Sequence, residues 1–111
     1  MDKLTCYRNA IRRVMTEYAA WKPQVSTVAS EQIHDPIQDH YELKYVGWDG
    51  QRRVHSTAFH LDIIGGKIWV QYDGSNRSVA DALTEAGVPK EDIVLAEQPP
   101  ELRPHTGYGV G

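Results

Sequence analysis

Five histidines, His34, His40, His55, His60 and His105, are the side chains best suited to acid–base or metal chemistry. No two of them show the four-residue helical spacing of a zinc-protease helix, and the single cysteine, Cys6, leaves no pair for a structural zinc. No metal and no other cofactor is therefore expected. His60-Leu61-Asp62 sets an imidazole and a carboxylate on one face of a strand, where the carboxylate could orient a general base. A paired, partly buried structural histidine is the commoner outcome of that pattern. Asp35, Asp39 and His40 surround a turn, where carboxylates often accept backbone N–H groups. Gly65-Gly66 joins two strands and opens no helix, so it is not a phosphate cradle. Cys6 lies in a helical stretch without a CxxC partner and is not read as a nucleophile. Trp48 and Trp69 fall on strands and Trp21 closes the first helix. Aromatic platforms for nucleic-acid bases stand beside Lys and Arg, whereas Trp69 is placed next to Asp62. The indoles read as core or interface packing. No catalytic residue and no small-molecule substrate emerges.

The elements that must position these groups follow from periodicity. Leu4, Tyr7, Ile11, Val14, Met15 and Tyr18 recur every three or four residues and predict a helix over 3–21, ended by Lys22-Pro23. Val25, Thr27, Val28 and Ile33 suggest an edge strand within 24–34, and Asp35-Pro36 a turn. Tyr41, Leu43 and Tyr45 share one face of a strand over 40–48, with His40, Glu42 and Lys44 on the other. Asp49-Gly50 predicts a two-residue hairpin loop, followed by a strand over 51–62; Gly65-Gly66 turns into a strand over 67–73.

The two loops imply registers that disagree. The first sets Tyr41 opposite Ala58, Leu43 opposite Ser56 and Tyr45 opposite Val54, burying even residues of the long strand. The second sets Phe59 opposite Tyr72, Leu61 opposite Val70 and Ile63 opposite Ile68, burying odd ones. Either a β-bulge near 56–59 switches the face, or both faces of the sheet are covered. After Asp73-Gly74, Ser75 or Ser78 can cap a short helix reaching about Ala86, with Gly87 as its left-handed stop. Ile93-Val94-Leu95 suggests a last short strand. Residues 98–111, rich in Pro and Gly, are expected to run extended over the domain or a neighbour.

The fold class expected is α+β: a long N-terminal helix packed on an antiparallel sheet of about four strands, with a second short helix and an extended C-terminal tail. The 111 residues, 41% hydrophobic and 24% charged, fit one undivided domain over 1–111. No apolar run reaches the length of a membrane span, and the N-terminus lacks an apolar signal core, so a reduced cytoplasmic setting is expected. The formal charge of −3 argues against autonomous nucleic-acid binding. It divides into +3 over residues 1–22 and −6 over the rest. That asymmetry, the two-faced strand and the tail together suggest a homo-oligomer, most simply a dimer.

Several stretches carry a family resemblance. They are Met1-Asp2-Lys3-Leu4, Thr16-Glu17-Tyr18, Asp39-His40-Tyr41, Val46-Gly47-Trp48-Asp49, Arg52-Arg53-Val54, His60-Leu61-Asp62-Ile63 and Gly66-Lys67-Ile68-Trp69-Val70-Gln71. Asp73-Gly74, the run Gly87-Val88-Pro89-Lys90-Glu91-Asp92-Ile93-Val94-Leu95, Pro99-Pro100-Glu101 and Arg103-Pro104 complete the series. In this order, over nearly the whole chain, they resemble the XisI family, the cyanobacterial fdxN element excision controlling factors. The sequence departs from the family at Ala96-Glu97-Gln98, where members tend to carry a Gly, an aromatic and a His.

The resemblance implies a non-enzymatic accessory role in programmed excision of a DNA element. The implied partner is a XisH-like protein, itself similar to restriction-type nucleases, and DNA would be engaged only indirectly. Two other readings remain open at this point: an antitoxin- or immunity-like inhibitor of a XisH-type nuclease, and a direct DNA-binding module. Arg103, His105 and Tyr108, set among prolines that lower the entropy cost of fixing an extended segment, are the candidate partner-binding residues.

Overall fold

The computed structural model describes residues 2–20 and 26–111. Helix α1 spans Lys3–Ala19, capped by the Asp2 carboxylate, which accepts the Thr5 N–H at 2.8 Å. Its apolar stripe is buried at Tyr7, Ala10, Ile11, Val14, Met15 and Tyr18. The assignment of Trp21 as the closing residue, and the first part of the predicted edge strand, lie outside the described residues.

Five strands follow the order β1-β2-β3-β4-β5: β1 Val28–Asp35, β2 His40–Asp49, β3 Arg52–Ile64, β4 Lys67–Asp73 and β5 Ile93–Leu95. The first four are antiparallel neighbours. β5 instead runs parallel to β4, Ile68 opposite Ile93 and Val70 opposite Leu95. The sheet is thus mixed and five-stranded, not antiparallel with about four strands. A parallel neighbour requires a crossover connection, and the segment carrying α2, Val79–Glu85, supplies it. Ser78 caps α2, its hydroxyl accepting the Asp81 N–H at 3.1 Å, and Gly87 follows the helix at φ 104°.

Both helices press on one face. Tyr41, Leu43, Phe59, Leu61, Ile68 and Val70 from the sheet join the α1 stripe, Val79 and Leu83 of α2, and Ile93 in one core. Tyr18 meets Phe59 edge-on with centroids 5.4 Å apart. Cations of α1 reach out to the rest of the chain. Arg8 pairs with Asp39 at 2.8 Å and Lys3 with Asp92 at 3.0 Å, so part of the charge asymmetry is satisfied within the molecule.

The register conflict is resolved by a bulge. In the first hairpin Asp49 pairs with Arg52 and Tyr45 with Ser56, so the loop is Gly50-Gln51, not Asp49-Gly50. Gly50 provides positive φ (61°) at the first loop position alone, the demand of a II′-type turn. Between Thr57 and Phe59 the pairing shifts, leaving Ala58 as an extra residue. Ala58 and Phe59 are both buried, so even residues face inward before the bulge and odd ones after it. The second hairpin has the expected pairs Leu61–Val70 and Ile63–Ile68. A second shift then leaves Gln71 extra and sets Phe59 opposite Asp73 instead of Tyr72. With a bulge switching the face, the long strand no longer supplies a reason for a second protomer.

Residues 99–111 are not uniformly extended. They coil through successive turns, with a 3₁₀ turn at Arg103–His105, then lay Gly109 beside Val94, where its N–H donates to the Ile93 carbonyl at 2.7 Å.

Candidate functional site

The sheet face turned away from the helices carries a polar cluster. His40 lies directly opposite Asp62, and Glu42 opposite His60. Four side chains from β2 and β3 therefore form a square, and both bulges serve it. The Ala58 bulge sends His60 and Asp62 outward. The shift at Gln71 sets Tyr72 opposite His60, and the Gln71 amide donates to Asp62 Oδ2 at 3.2 Å. Bulges that re-aim side chains in this way recur at functional sites.

Within the square, His40 Nδ1 lies 2.8 Å from Asp62 Oδ1 and His40 Nε2 lies 2.9 Å from Glu42 Oε2. His60 Nε2 is 3.1 Å from His40 Nδ1 and 3.2 Å from Asp62 Oδ1. The two rings meet at a 66° angle with centroids 4.4 Å apart. Lys44 Nζ donates to Thr57 Oγ1 at 2.9 Å and stands 3.7 Å from Glu42 Oε1. The hydrogen bond to Glu42, then that to Asp62, raises the pKa of His40 against the opposing effect of burial. Burial pushes the Glu42 pKa up. The hydrogen bond from His40 and the neighbouring Lys44 charge outweigh it and hold Glu42 below its ordinary range.

All four side chains are part-buried, and a shallow depression of about 340 Å³ opens beside them, lined by Glu42, Ser56, Thr57, His60 and Tyr72. The cluster can hold a proton between carboxylates or present nitrogen and oxygen donors to a cation.

The other sequence candidates lie elsewhere. Asp35 accepts the Ile37 and Gln38 N–H groups at 3.1 Å, the backbone role expected of it. Asp39 turns instead to Arg8. His34 meets the Tyr41 ring edge-on and is not in the square; like His55 and His105 it is exposed. Neither Trp48 nor Trp69 belongs to the helix-covered core. Trp48 is 52% exposed, with the Arg53 guanidinium over its ring. Trp69, opposite Asp62 as expected, is overlaid by Arg103.

Of the three tail residues, Arg103 also donates to the Gln98 carbonyl at 3.0 Å. The Tyr108 hydroxyl donates to Asp81, and burial with that bond pushes its pKa up to about 12. The tail thus brings Arg103 and Tyr108 onto the chain's own surface and leaves His105 outward. Sequence reasoning placed His60 with Asp62, and His40 with Glu42. It missed that the two pairs meet, and it missed Gln71 altogether.

Fold and face together define a small α+β protein whose mixed sheet is covered by helices on one side and presents a hydrogen-bonded polar cluster on the other. The chain belongs to the XisI family, whose model, described as XisI protein, matches residues 1–110. A XisI-like protein from Anabaena variabilis ATCC 29413 has a crystal structure similar to it, with a TM-score of 0.90. The two share 38% identity over 97% of this chain and 99% of the other. The crystal structure of the fdxN element excision controlling factor XisI from the same organism is similar at a TM-score of 0.83. There the identity is 33% over 99% of this chain and 100% of that one. No functionally curated protein matches the chain. Among the described residues, no helix is long and apolar enough to cross a membrane.

Proposed function

We propose that this chain is a non-enzymatic controlling factor in programmed excision of a DNA element, acting by binding a XisH-like protein. The observation that carries this reading is the 33% identity, end to end, with a protein named as the fdxN element excision controlling factor XisI. The net charge of −3 supports indirect rather than direct engagement of DNA. An acidic surface is also suited to meet basic surface on a nuclease-like partner. The partner-facing segment is the C-terminal stretch, through Arg103, His105 and Tyr108.

Deleting that stretch would be a poor test, because Gly109 covers the fully buried Val94. Point variants are better. Purified chain and a XisH-like protein should co-elute in size-exclusion chromatography with light scattering. His105→Glu should weaken the complex without changing thermal stability. Separate elution at tens of micromolar would overturn the reading, and so would a shift of duplex DNA by this chain alone at physiological salt.

A further inference from the structure

We infer that His40, His60 and Asp62 form a binding site for a divalent transition ion of the zinc type on the open face of the sheet. This rests on the geometry of the cluster and is independent of the partner assignment.

His40 Nδ1, His60 Nε2 and Asp62 Oδ1 are separated pairwise by 2.8, 3.1 and 3.2 Å. The circle through them has a radius of about 1.8 Å, so an ion with bonds of about 2.0–2.1 Å sits about 1 Å above their plane. Ligand atoms of a tetrahedral zinc stand about 3.3 Å apart, so an opening of a few tenths of an ångström suffices.

The groups behind the donors are those a metal site requires. Glu42 accepts from the other nitrogen of His40, which fixes that ring with Nδ1 toward Asp62 and His60, where a metal would take the place of the Nδ1 proton. Gln71 holds the other oxygen of Asp62, leaving Oδ1 for the ion. With neutral imidazoles, Glu42 and Asp62 against Lys44 leave a net charge of −1, which favours a cation. Two nitrogen donors select a zinc-type ion over magnesium or calcium, which take oxygen ligands. The side chains of His40, His60 and Asp62 are 36%, 27% and 21% exposed. The ion can therefore enter from solvent, and its remaining coordination positions stay open. Spacing along the chain does not point to this metal site, because the ligands come from two strands. Their grouping depends on pairing across the sheet.

The test is titration of the metal-free full chain with Zn²⁺ by calorimetry, and with Co²⁺ as a spectroscopic probe. Wild type should bind one equivalent. Cobalt should give visible absorption bands of a low-coordinate nitrogen–oxygen site. His60→Ala should abolish binding, and Asp62→Asn should abolish or greatly weaken it. Glu42→Gln, which keeps all three donors, should weaken it about 10–100-fold. Circular dichroism should confirm that each variant is folded. If His60→Ala does not fold, Glu42→Gln decides alone: unchanged affinity overturns the inference. The absence of saturable binding by wild type overturns it as well. Binding that survives in a folded His40→Ala/His60→Ala variant does the same, since the ion then sits elsewhere.

Discussion

Asp39 offers a test of the turn that delivers His40 to the sheet. Among the described residues it is the one non-glycine residue with positive φ, at 55°. Its carboxylate accepts Arg8 Nε at 2.8 Å, Arg8 Nη2 at 3.1 Å and the Tyr41 hydroxyl at 3.1 Å. Its carbonyl accepts the Ile63 N–H at 2.9 Å. Asp39→Gly and Asp39→Ala remove the same carboxylate and differ only in backbone freedom. At an ordinary loop position alanine is the more stable by about 0.4–1 kcal/mol, because the unfolded chain has less freedom to lose. At a φ of 55° the left-handed penalty of about 1–2 kcal/mol acts the other way. The alanine variant should therefore be less stable than the glycine variant by about 0.8 kcal/mol (the two ranges give about 0–1.6), roughly 3–4 °C in Tm for a chain of this length. Thermal and urea unfolding followed by circular dichroism would measure it. An alanine variant more stable than the glycine variant refutes the left-handed assignment.

The same residue supplies a pH signature. The hydrogen bond from Arg8, ahead of the opposing burial, holds the Asp39 carboxyl below its ordinary value of 3.8. A carboxyl whose folded pKa is depressed contributes stability that is full above its unfolded value and lost as pH falls through the folded one. Asp39→Asn keeps tolerance of the left-handed backbone and removes the charge. The lead of wild type over it should be constant at about pH 6 and shrink below about pH 4. A lead unchanged down to about pH 3 would remove the Arg8–Asp39 pair from the account.

Two further perturbations probe the core and the tail. Leu61→Ala, at a side chain with no exposure, should lower stability by about 2–5 kcal/mol with an unchanged urea m-value; a loss below about 1 kcal/mol would place Leu61 outside the core. Gly109→Ala would bring a Cβ within 2.4 Å of the Glu91 carbonyl oxygen, so the tail should lift from β5 and the amide at position 109 should exchange faster with deuterium. Wild-type protection at that amide would contradict the described docking.

What was legible in the sequence was local. The stripe Tyr7, Ile11, Val14, Met15 and Tyr18 buries itself in α1 as its spacing demanded, and Ser78 caps α2. Gly65-Gly66 fixed the second hairpin because both residues take positive φ, 59° and 77°, leaving one loop that satisfies them. The first hairpin was ambiguous, since Gly50 can occupy either position of a two-residue loop. β5 was recognised as a strand, but its partner and direction were not. Three residues carry too little pattern, and a parallel pairing is set by the path of the intervening helix.

The polar square was illegible for a related reason. Continued without a shift, the first hairpin's register would set His60 opposite Tyr41 and turn it toward the helices. One extra residue, Ala58, sets His60 opposite Glu42 and Asp62 opposite His40. The Gln71 amide of β4 then adds a third strand's side chain to the group. A bulge leaves no mark in side-chain chemistry, since Ala58 is an unremarkable small residue. It shows only as two hairpins that cannot both be right. That contradiction, visible in the sequence at residues 56–59, marked the place where the fold turns two ordinary His–carboxylate pairs into one convergent set of donors.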